Sequence, residues 1–245
     1  SYEMLDRADL IKLQPGLGLD VVGGSWCPHD GHVNPLYLLR SLHDCLLKHK
    51  GHFHSDAEVS NVTHQNGVFS VLSKKGNFQA SRLVLAAGLG NRTLAPLIGL
   101  TQPVRPQKGQ ILVTQKTDDL IRLPMTLLRQ TAEGSIMIGD SHEEVGFDIS
   151  SSVDIMAQIA SRAKRTLPVL ETQQIIRSWA ALRVMSPDGY PMYDQSATHP
   201  GGFAVTCHSG VTLAAAHCFD LAVDIEKGQL GIGLQPFTER RFDVS

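Results

Sequence analysis

The sequence predicts an α+β fold, with a mixed sheet in the middle of the chain and α/β pieces near Leu85 and Cys207. Three observations carry this. Two segments place apolar residues at helical spacing between clear start and stop signals. Two strand patterns are joined by an Asn-Gly turn, the signature of a hairpin. Two other apolar strands run into glycine and then into a helix pattern, the form of a strand-to-helix crossing.

In order along the chain, residues 20–26 read as a short strand. Residues 35–50 read as a helix: Leu36, Leu39, Leu46 and Leu47 fall at helical spacing, Asn34 is an N-cap before Pro35 at the first helical position, and Gly51 follows the end. Residues 57–64 and 68–73 form a hairpin around Gln65-Asn66-Gly67, and Lys74-Lys75-Gly76-Asn77 turns the chain again toward Phe78. Residues 82–87 are a continuous apolar run of buried-strand type, and Gly88-Leu89-Gly90-Asn91 opens a helix through Ile98. Strands follow at 109–114, 125–130 and 135–139, the last two paired through Ala132-Glu133-Gly134. Residues 153–166 form the second clear helix, opened by Ser151-Ser152-Val153-Asp154 as a capping box and closed by Pro168. Residues 175–182 and 203–207 read as strands, and 211–227 as a last long helix stopped by Gly228.

Composition narrows the function classes. Twenty-two Lys and Arg against 24 Asp and Glu leave a formal charge of −2, which argues against a nucleic-acid binder held by a basic face and against a polybasic membrane-surface protein. With 42% hydrophobic and 19% charged residues the chain is globular. No apolar run approaches the roughly 18–20 residues of a membrane span, and the polar start Ser1-Tyr2-Glu3-Met4 shows no signal peptide. Four cysteines without a CxxC pair point to a reducing, cytoplasmic setting. Cys27-Pro28-His29-Asp30-Gly31-His32 has no second half at zinc spacing and sits among loop formers, so it reads as a loop and no metal is expected.

The two strand-to-glycine junctions are the first candidates for chemistry. One is Leu83–Ala87 into Gly88-Leu89-Gly90; the other is Phe203–Cys207 into His208-Ser209-Gly210 and then Val211-Thr212-Leu213. A helix start offers unspent N–H groups and the positive end of the dipole, and glycine lets backbone approach a ligand. Either junction alone reads as an ordinary turn; two together favour a nucleotide-like ligand. Arg183, before Ser186-Pro187-Asp188-Gly189, reads either as a surface residue or as a planar fork for a carboxylate.

These segments together resemble the D-amino-acid-oxidase-like flavoprotein family, particularly its glycine oxidase branch. The resemblance runs nearly end to end: Leu5-Asp6-Arg7-Ala8-Asp9-Leu10 to Gln14-Pro15, Asp30-Gly31-His32-Val33-Asn34-Pro35, and Leu83 to Gly88. It continues through Pro103-Val104-Arg105-Pro106-Gln107-Lys108-Gly109-Gln110, Val145-Gly146-Phe147-Asp148, Ala181-Leu182-Arg183 with Pro187-Asp188-Gly189, Cys207 to Ala214, and Pro236-Phe237 with Arg241-Phe242. Each motif is weak alone; their order and spacing are specific.

The resemblance implies an FAD-dependent enzyme that oxidises a small amino acid or secondary amine by hydride transfer to the flavin, the imine then being hydrolysed. It implies a partial, Rossmann-like FAD-binding domain from residues 19–102 and 183–245, a mixed-sheet substrate-binding domain from 103–182, and a leading segment at 1–18. Arg183 would bind the substrate carboxylate, with Tyr190 and Tyr193 in the substrate pocket. Ala87, Gly88 and Gly90 would lie near the adenosine diphosphate portion, Val59 where backbone reads the adenine, and Ser209, Gly210, Val211 and Thr212 at the flavin ring. His208 reads first as a buried structural histidine, with contact to flavin or substrate as the alternative.

Two departures qualify this. The family opens with G-x-G-x-x-G and an acidic residue for the ribose; here the nearest segment is Gly16-Leu17-Gly18-Leu19-Asp20-Val21. The chain therefore reads as a piece lacking the N-terminal half of the flavin domain. Such a piece would hold FAD weakly or not at all and expose apolar surface around 85–90 and 211–216, favouring self-association or a partner subunit. Glycine-oxidase-type members also carry an arginine between the His and Gly of the closing motif, where this chain has only Ser209; Ala181 and Val184 replace the usual Gly and Pro. The short closing motif resembles the catalytic subunits of multi-subunit dehydrogenases for opines, hydroxyproline or cyanide formation. A non-catalytic interaction module is the remaining alternative.

Overall fold

The computed structural model describes residues 2–243. In chain order the strands are β1 (Glu3–Asp6), β2 (Gly23–Trp26), β3 (Val59–Gln65), β4 (Val68–Ser73), β5 (Gly76–Ala80), β6 (Leu83–Leu85), β7 (Arg105–Lys116), β8 (Leu128–Gln130), β9 (Ser135–Ile138), β10 (Ile175–Met185), β11 (Met192–Gln195) and β12 (Gly202–Thr206). The helices are α1 (Arg7–Leu13), α2 (Pro35–Lys48), α3 (Asn91–Leu94), α4 (Val153–Thr166), α5 (Ala214–Ala216) and α6 (Ala222–Lys227). Among the described residues no helix is long and apolar enough to cross a membrane.

The chain divides into two compact units. The first holds the chain up to His52 with Lys108–Leu182; the second holds Phe53–Gln107 with the chain from Arg183. Residues 19–52, grouped by sequence with the flavin-side pieces, thus cluster with 108–182 instead.

In the first unit, β10, β7, β9 and β8 form a sheet in that order, and the β7–β9 and β8–β9 pairings are antiparallel. Alternation along the strands gives this sheet two faces. Leu112, Leu128, Ile136 and Ile138 are buried against Ile159 and Ala163 of α4, with Leu167 and Leu170 closing the cluster. On β8 and β9, Arg129 and Met137 stand opposite each other in the intervening register and so belong to the other face. Helix α4 spans the expected residues, but its N-cap is Ser152, whose hydroxyl accepts from the Ile155 N–H at 3.3 Å. That puts Asp154 in the first turn, where it favours the dipole, and not at the reciprocal position of a capping box. Asn34 caps α2 as expected, accepting from the N–H groups of Leu36 and Tyr37. None of the residues of α2 is buried, and Leu36, Leu39, Leu42 and Leu47 are at least half exposed.

In the second unit, β3, β4 and β5 form an antiparallel meander. Asn66 (φ 52°) and Gly67 (φ 75°) make the two-residue turn between β3 and β4, both left-handed, the geometry that matches the twist of a hairpin. A second sheet has the order β11-β12-β6, with β11–β12 antiparallel and β12–β6 parallel. Val62, Phe69, Leu85, Ala95, Ile98 and Ala204 form the core.

Several elements differ from the sequence expectation. The strand at 20–26 contracts to β2, that at 125–130 to β8, and that at 109–114 extends to β7. The strand at 175–182 extends to β10, running through Arg183 to Met185, and its first five residues are exposed. The helix placed at 211–227 begins at Ala214, winds wide over His217–Leu221, and ends at Lys227. Its lead-in is a turn in which the Leu213 N–H donates to the Ser209 carbonyl at 3.0 Å. Of the expected exposed apolar surface, Val211 is exposed but Leu85 is buried in the core.

Candidate functional site

The parallel pair β6–β12 sets the first part of the site. Leu83 pairs with Gly202 and Leu85 with Ala204, so the two strands deliver Ala87-Gly88 and Cys207-His208 at the same end. The carboxyl ends of parallel strands are where open α/β sheets bind ligands, because the following turns offer backbone N–H groups there. Asn91 ties the two ends together. Its Nδ2 donates to the carbonyls of Leu85 and Val205 (both 3.1 Å) and to Thr206 Oγ1 (2.7 Å), and its Oδ1 accepts from the Ala87 N–H (3.0 Å).

The network extends inward. Thr206 Oγ1 donates to Gln102 Oε1 at 2.7 Å, Gln102 Nε2 donates to Asp194 Oδ2 at 2.6 Å, and the Glu239 N–H donates to Asp194 Oδ1 at 3.1 Å. Asn91, Gln102, Asp194 and Thr206 are all buried. Burial pushes the Asp194 carboxyl up to about 6, against the two hydrogen bonds that favour its charged form.

Each expected site residue has a definite place in the second unit. Gly88 has φ +57°, and a Cβ there would stand 3.3 Å from Val184 Cγ2, so the turn after β6 packs against the end of β10. Arg183, half-buried, precedes that Val184 in the strand. Gly90 lies in the same turn as Ala87 and Gly88. Ser209, Gly210, Val211 and Thr212 are exposed in the turn before α5. The N–H groups of Gly210, Val211 and Thr212 donate no hydrogen bond among the described residues. His208 is exposed, with Nδ1 3.2 Å from Ser209 Oγ, so the buried structural histidine expected from sequence is not found; the loop carries the ring outward past the end of β12. Val59 starts β3, paired with Ser73, and packs on the core.

The two tyrosines part company. Tyr190 is exposed. Tyr193 is buried in β11, its hydroxyl 2.8 Å from His217 Nε2 and its ring edge-on to Phe237. Burial raises the Tyr193 phenol to about 12 and lowers the His217 imidazole, so both are neutral near pH 7. Between the tyrosines and Arg183, the Ser186–Tyr190 turn is clamped by Arg241. Arg241 Nε donates to Asp188 Oδ2 (2.8 Å) and Nη2 to Oδ1 (3.0 Å), and the guanidinium holds the Asp188 carboxyl down at about 2.

The first unit carries its own concavity. On the sheet face away from α4 lies a cavity of about 1030 Å³ whose lining includes Tyr37, Arg122, Arg129, Met137, Arg177 and Trp179. Arg129 Nη1 is 3.2 Å from His32 Nδ1 and 3.3 Å from the Val33 carbonyl, and Nη2 donates to Met137 Sδ at 2.8 Å. The Arg177 guanidinium lies over the Trp179 ring at 5.8 Å.

Sequence reasoning missed Asn91, Gln102, Asp194 and the three arginines. Asn91 was signalled as the residue closing Gly88-Leu89-Gly90; the others carry no local signal, since their partners lie far away in sequence. At the strand ends, a left-handed glycine turn and three N–H groups with no hydrogen-bond partner among the described residues offer donors of the kind an acceptor-rich ligand such as FAD takes.

Comparison with known proteins agrees with this geometry. The model of the family described as FAD dependent oxidoreductase matches residues 1–222. An opine oxidase subunit from Agrobacterium tumefaciens (strain Ach5) is 44% identical over 241 residues, covering 98% of this chain and 65% of the relative. The same opine oxidase subunit from Rhizobium meliloti is 43% identical over 243 residues, covering 99% and 66%. The chain thus spans 65% and 66% of the length of these two relatives. Among solved structures, glycine oxidase from Geobacillus kaustophilus superposes with a TM-score of 0.89 at 21% identity, covering 97% of this chain and 66% of that one.

Proposed function

Because this chain belongs to the FAD-dependent oxidoreductase family, we propose that it is part of an enzyme that dehydrogenates a small amino acid or secondary amine. The observation that carries the reading is the β6–β12 pair, whose glycine-bearing ends are held side by side by the buried Asn91. FAD, when bound, supplies the two-electron acceptor. Ala87, Gly88 and Gly90 would hold its adenosine diphosphate portion and Val59 its adenine. Ser209 through Thr212 would offer N–H groups to the ring edge, with His208 beside them. Arg183 would fix the substrate carboxylate by two parallel bonds and so orient the reacting carbon. Tyr190, exposed after the Asp188 turn, would border the substrate; the buried Tyr193, its hydroxyl 2.8 Å from His217 Nε2, would line the pocket from below the surface.

The 44% identity to an opine oxidase subunit favours work within a multi-subunit enzyme, with a second type of chain taking part. The four unbridged cysteines favour a reducing compartment, the cytoplasm.

Gly88→Val tests the reading in the full-length protein. A β-branched side chain at φ +57° is strained and meets Val184, so flavin absorbance per protein should fall sharply while circular dichroism stays native. Retention of stoichiometric flavin, or no amine-dependent reduction of a dye acceptor by the flavin-loaded wild type, overturns it.

A further inference from the structure

The first unit carries a second recess, at α4, that neither the cofactor nor the amine reading uses. It lies between α4 and the segment after β9, has a volume of about 410 Å³, and its lining includes His142, Ile155, Gln158, Ser161, Arg162 and Arg165. We propose that this recess binds the phosphoryl group of a small organic phosphate, with Arg162 and Arg165 as its anchors.

Helix α4 brings the donors to one side. Arg165 follows Arg162 by three residues and Gln158 precedes it by four, spacings that share one face of a helix. Neither arginine is ion-paired with a carboxylate among the described residues. Arg162 Nη2 donates to the Asp140 backbone carbonyl, a neutral acceptor. The Arg162 Nε is buried and has no hydrogen-bond partner among the described residues. A buried donor without an acceptor is costly, and a guanidinium so placed gains from an anion with acceptor oxygens to share.

The acidic groups at the recess do not fill that role. Glu143 is taken up by Lys108 Nζ at 3.2 Å, by Gln110 Nε2 at 2.9 Å and by Ser141 Oγ at 2.6 Å. Asp140 Oδ2 stands 3.0 Å from His142 Nε2. The charge of the two guanidinium groups is thus left for a ligand. A tetrahedral oxyanion accepts from several directions at once, which suits two planar forks, the Ser161 hydroxyl and the Gln158 amide set along one helix. About 410 Å³ is more than a bare phosphate fills and lies toward the low end of small-molecule pockets, and Ile155 supplies apolar wall for a short carbon body.

Calorimetry on the flavin-loaded full-length protein tests this at constant ionic strength, with ribose 5-phosphate, inorganic phosphate and ribose as probes. The bound flavin keeps its own phosphate-binding turns from capturing a probe. Ribose 5-phosphate should bind saturably and more tightly than inorganic phosphate, and ribose should not bind. Arg162→Gln and Arg165→Gln should each weaken the Kd for ribose 5-phosphate about tenfold, and Ser161→Ala should weaken it less. Arg40→Gln, at an exposed arginine of α2, should leave it unchanged. Arg165 and Ser161 are exposed, so their variants decide the matter even where Arg162→Gln fails to fold. Absence of saturable binding to the wild type overturns the proposal. So does a Kd that Arg165→Gln and Ser161→Ala leave unchanged, or that Arg40→Gln weakens equally. A Kd for inorganic phosphate as tight as that for ribose 5-phosphate overturns the assignment to an organic phosphate.

Discussion

Asn91 Nδ2 donates to Thr206 Oγ1 at 2.7 Å, joining the turn after β6 to the last residue of β12. One amide thereby serves both strand ends on which the proposed cofactor site rests. Asn91→Ala leaves the Ala87 N–H, two carbonyls and a hydroxyl in a buried place without their partner. Each such loss costs roughly 1–3 kcal/mol, and relaxation recovers part of the total. Stability should fall by about 3 kcal/mol in urea unfolding, and flavin retention with it. Asn91→Asp keeps the acceptor for Ala87 and loses the donors, so it should also destabilise; wild-type stability in both variants would show that the strand ends do not depend on Asn91.

Asp194 gives a pH signature of the opposite sign from an ordinary surface carboxylate. Its folded pKa, about 6, lies above the unfolded value near 3.9. Stability from this group is therefore complete below about pH 4 and is lost as pH rises through 6, a decline of about 2 kcal/mol. Urea midpoints of the wild type should carry this slope between pH 4 and 6, and Asp194→Asn should flatten it. An equal slope in both proteins would remove Asp194 as the source.

Lys108 is a buried cation held by Asp148 Oδ2 at 2.9 Å and Glu143 Oε2 at 3.2 Å, with Ser150 O also accepting. Two sequence motifs forty residues apart meet here. The Lys108 ammonium holds the Asp148 carboxyl down at about 2, so the stability it supplies is present above the unfolded pKa and is lost as pH falls through 2. Lys108→Met should lower the melting temperature at pH 7 and reduce the acid sensitivity of the melt. A melt like that of the wild type across this range would count against the network.

The Arg241–Asp188 clamp is partly exposed, with side-chain exposures of 18% and 35%, which limits its contribution through solvent screening. Arg241→Ala should cost about 0.5–1 kcal/mol, and a double-mutant cycle with Asp188→Ala should return a coupling of that size. Zero coupling would mean that the turn before Tyr190 holds its shape without the pair.

Arg183→Lys keeps the charge and loses the planar fork. A charge-assisted bidentate contact contributes roughly 1.5–3 kcal/mol, so kcat/KM of the full-length enzyme should fall by about one to two decades, and further for Arg183→Ala. Flavin content should stay unchanged. Wild-type kcat/KM in both variants, or flavin lost in step with activity, would make Arg183 a structural residue.

The sequence by itself determined what is decided within a few residues. Asn34 and Ser152 cap helices because their side chains reach N–H groups two or three positions on. Asn66-Gly67 turns a hairpin because both residues accept left-handed backbone. Gly88, left-handed at φ 57° after β6, was legible for the same reason. Tertiary structure alone decided which strands pair and what their faces carry. Leu83 finds Gly202, Asn91 finds Thr206, and Arg122, Arg129 and Arg177 find one cavity only after long-range packing brings their segments together. Those partners are chosen by the burial of Phe69, Ile98 and Ala204 in one core and of Leu128, Ile136 and Ile159 in the other. The free energy of such burial depends on area removed from water and not on neighbours along the chain, so no local pattern announces it.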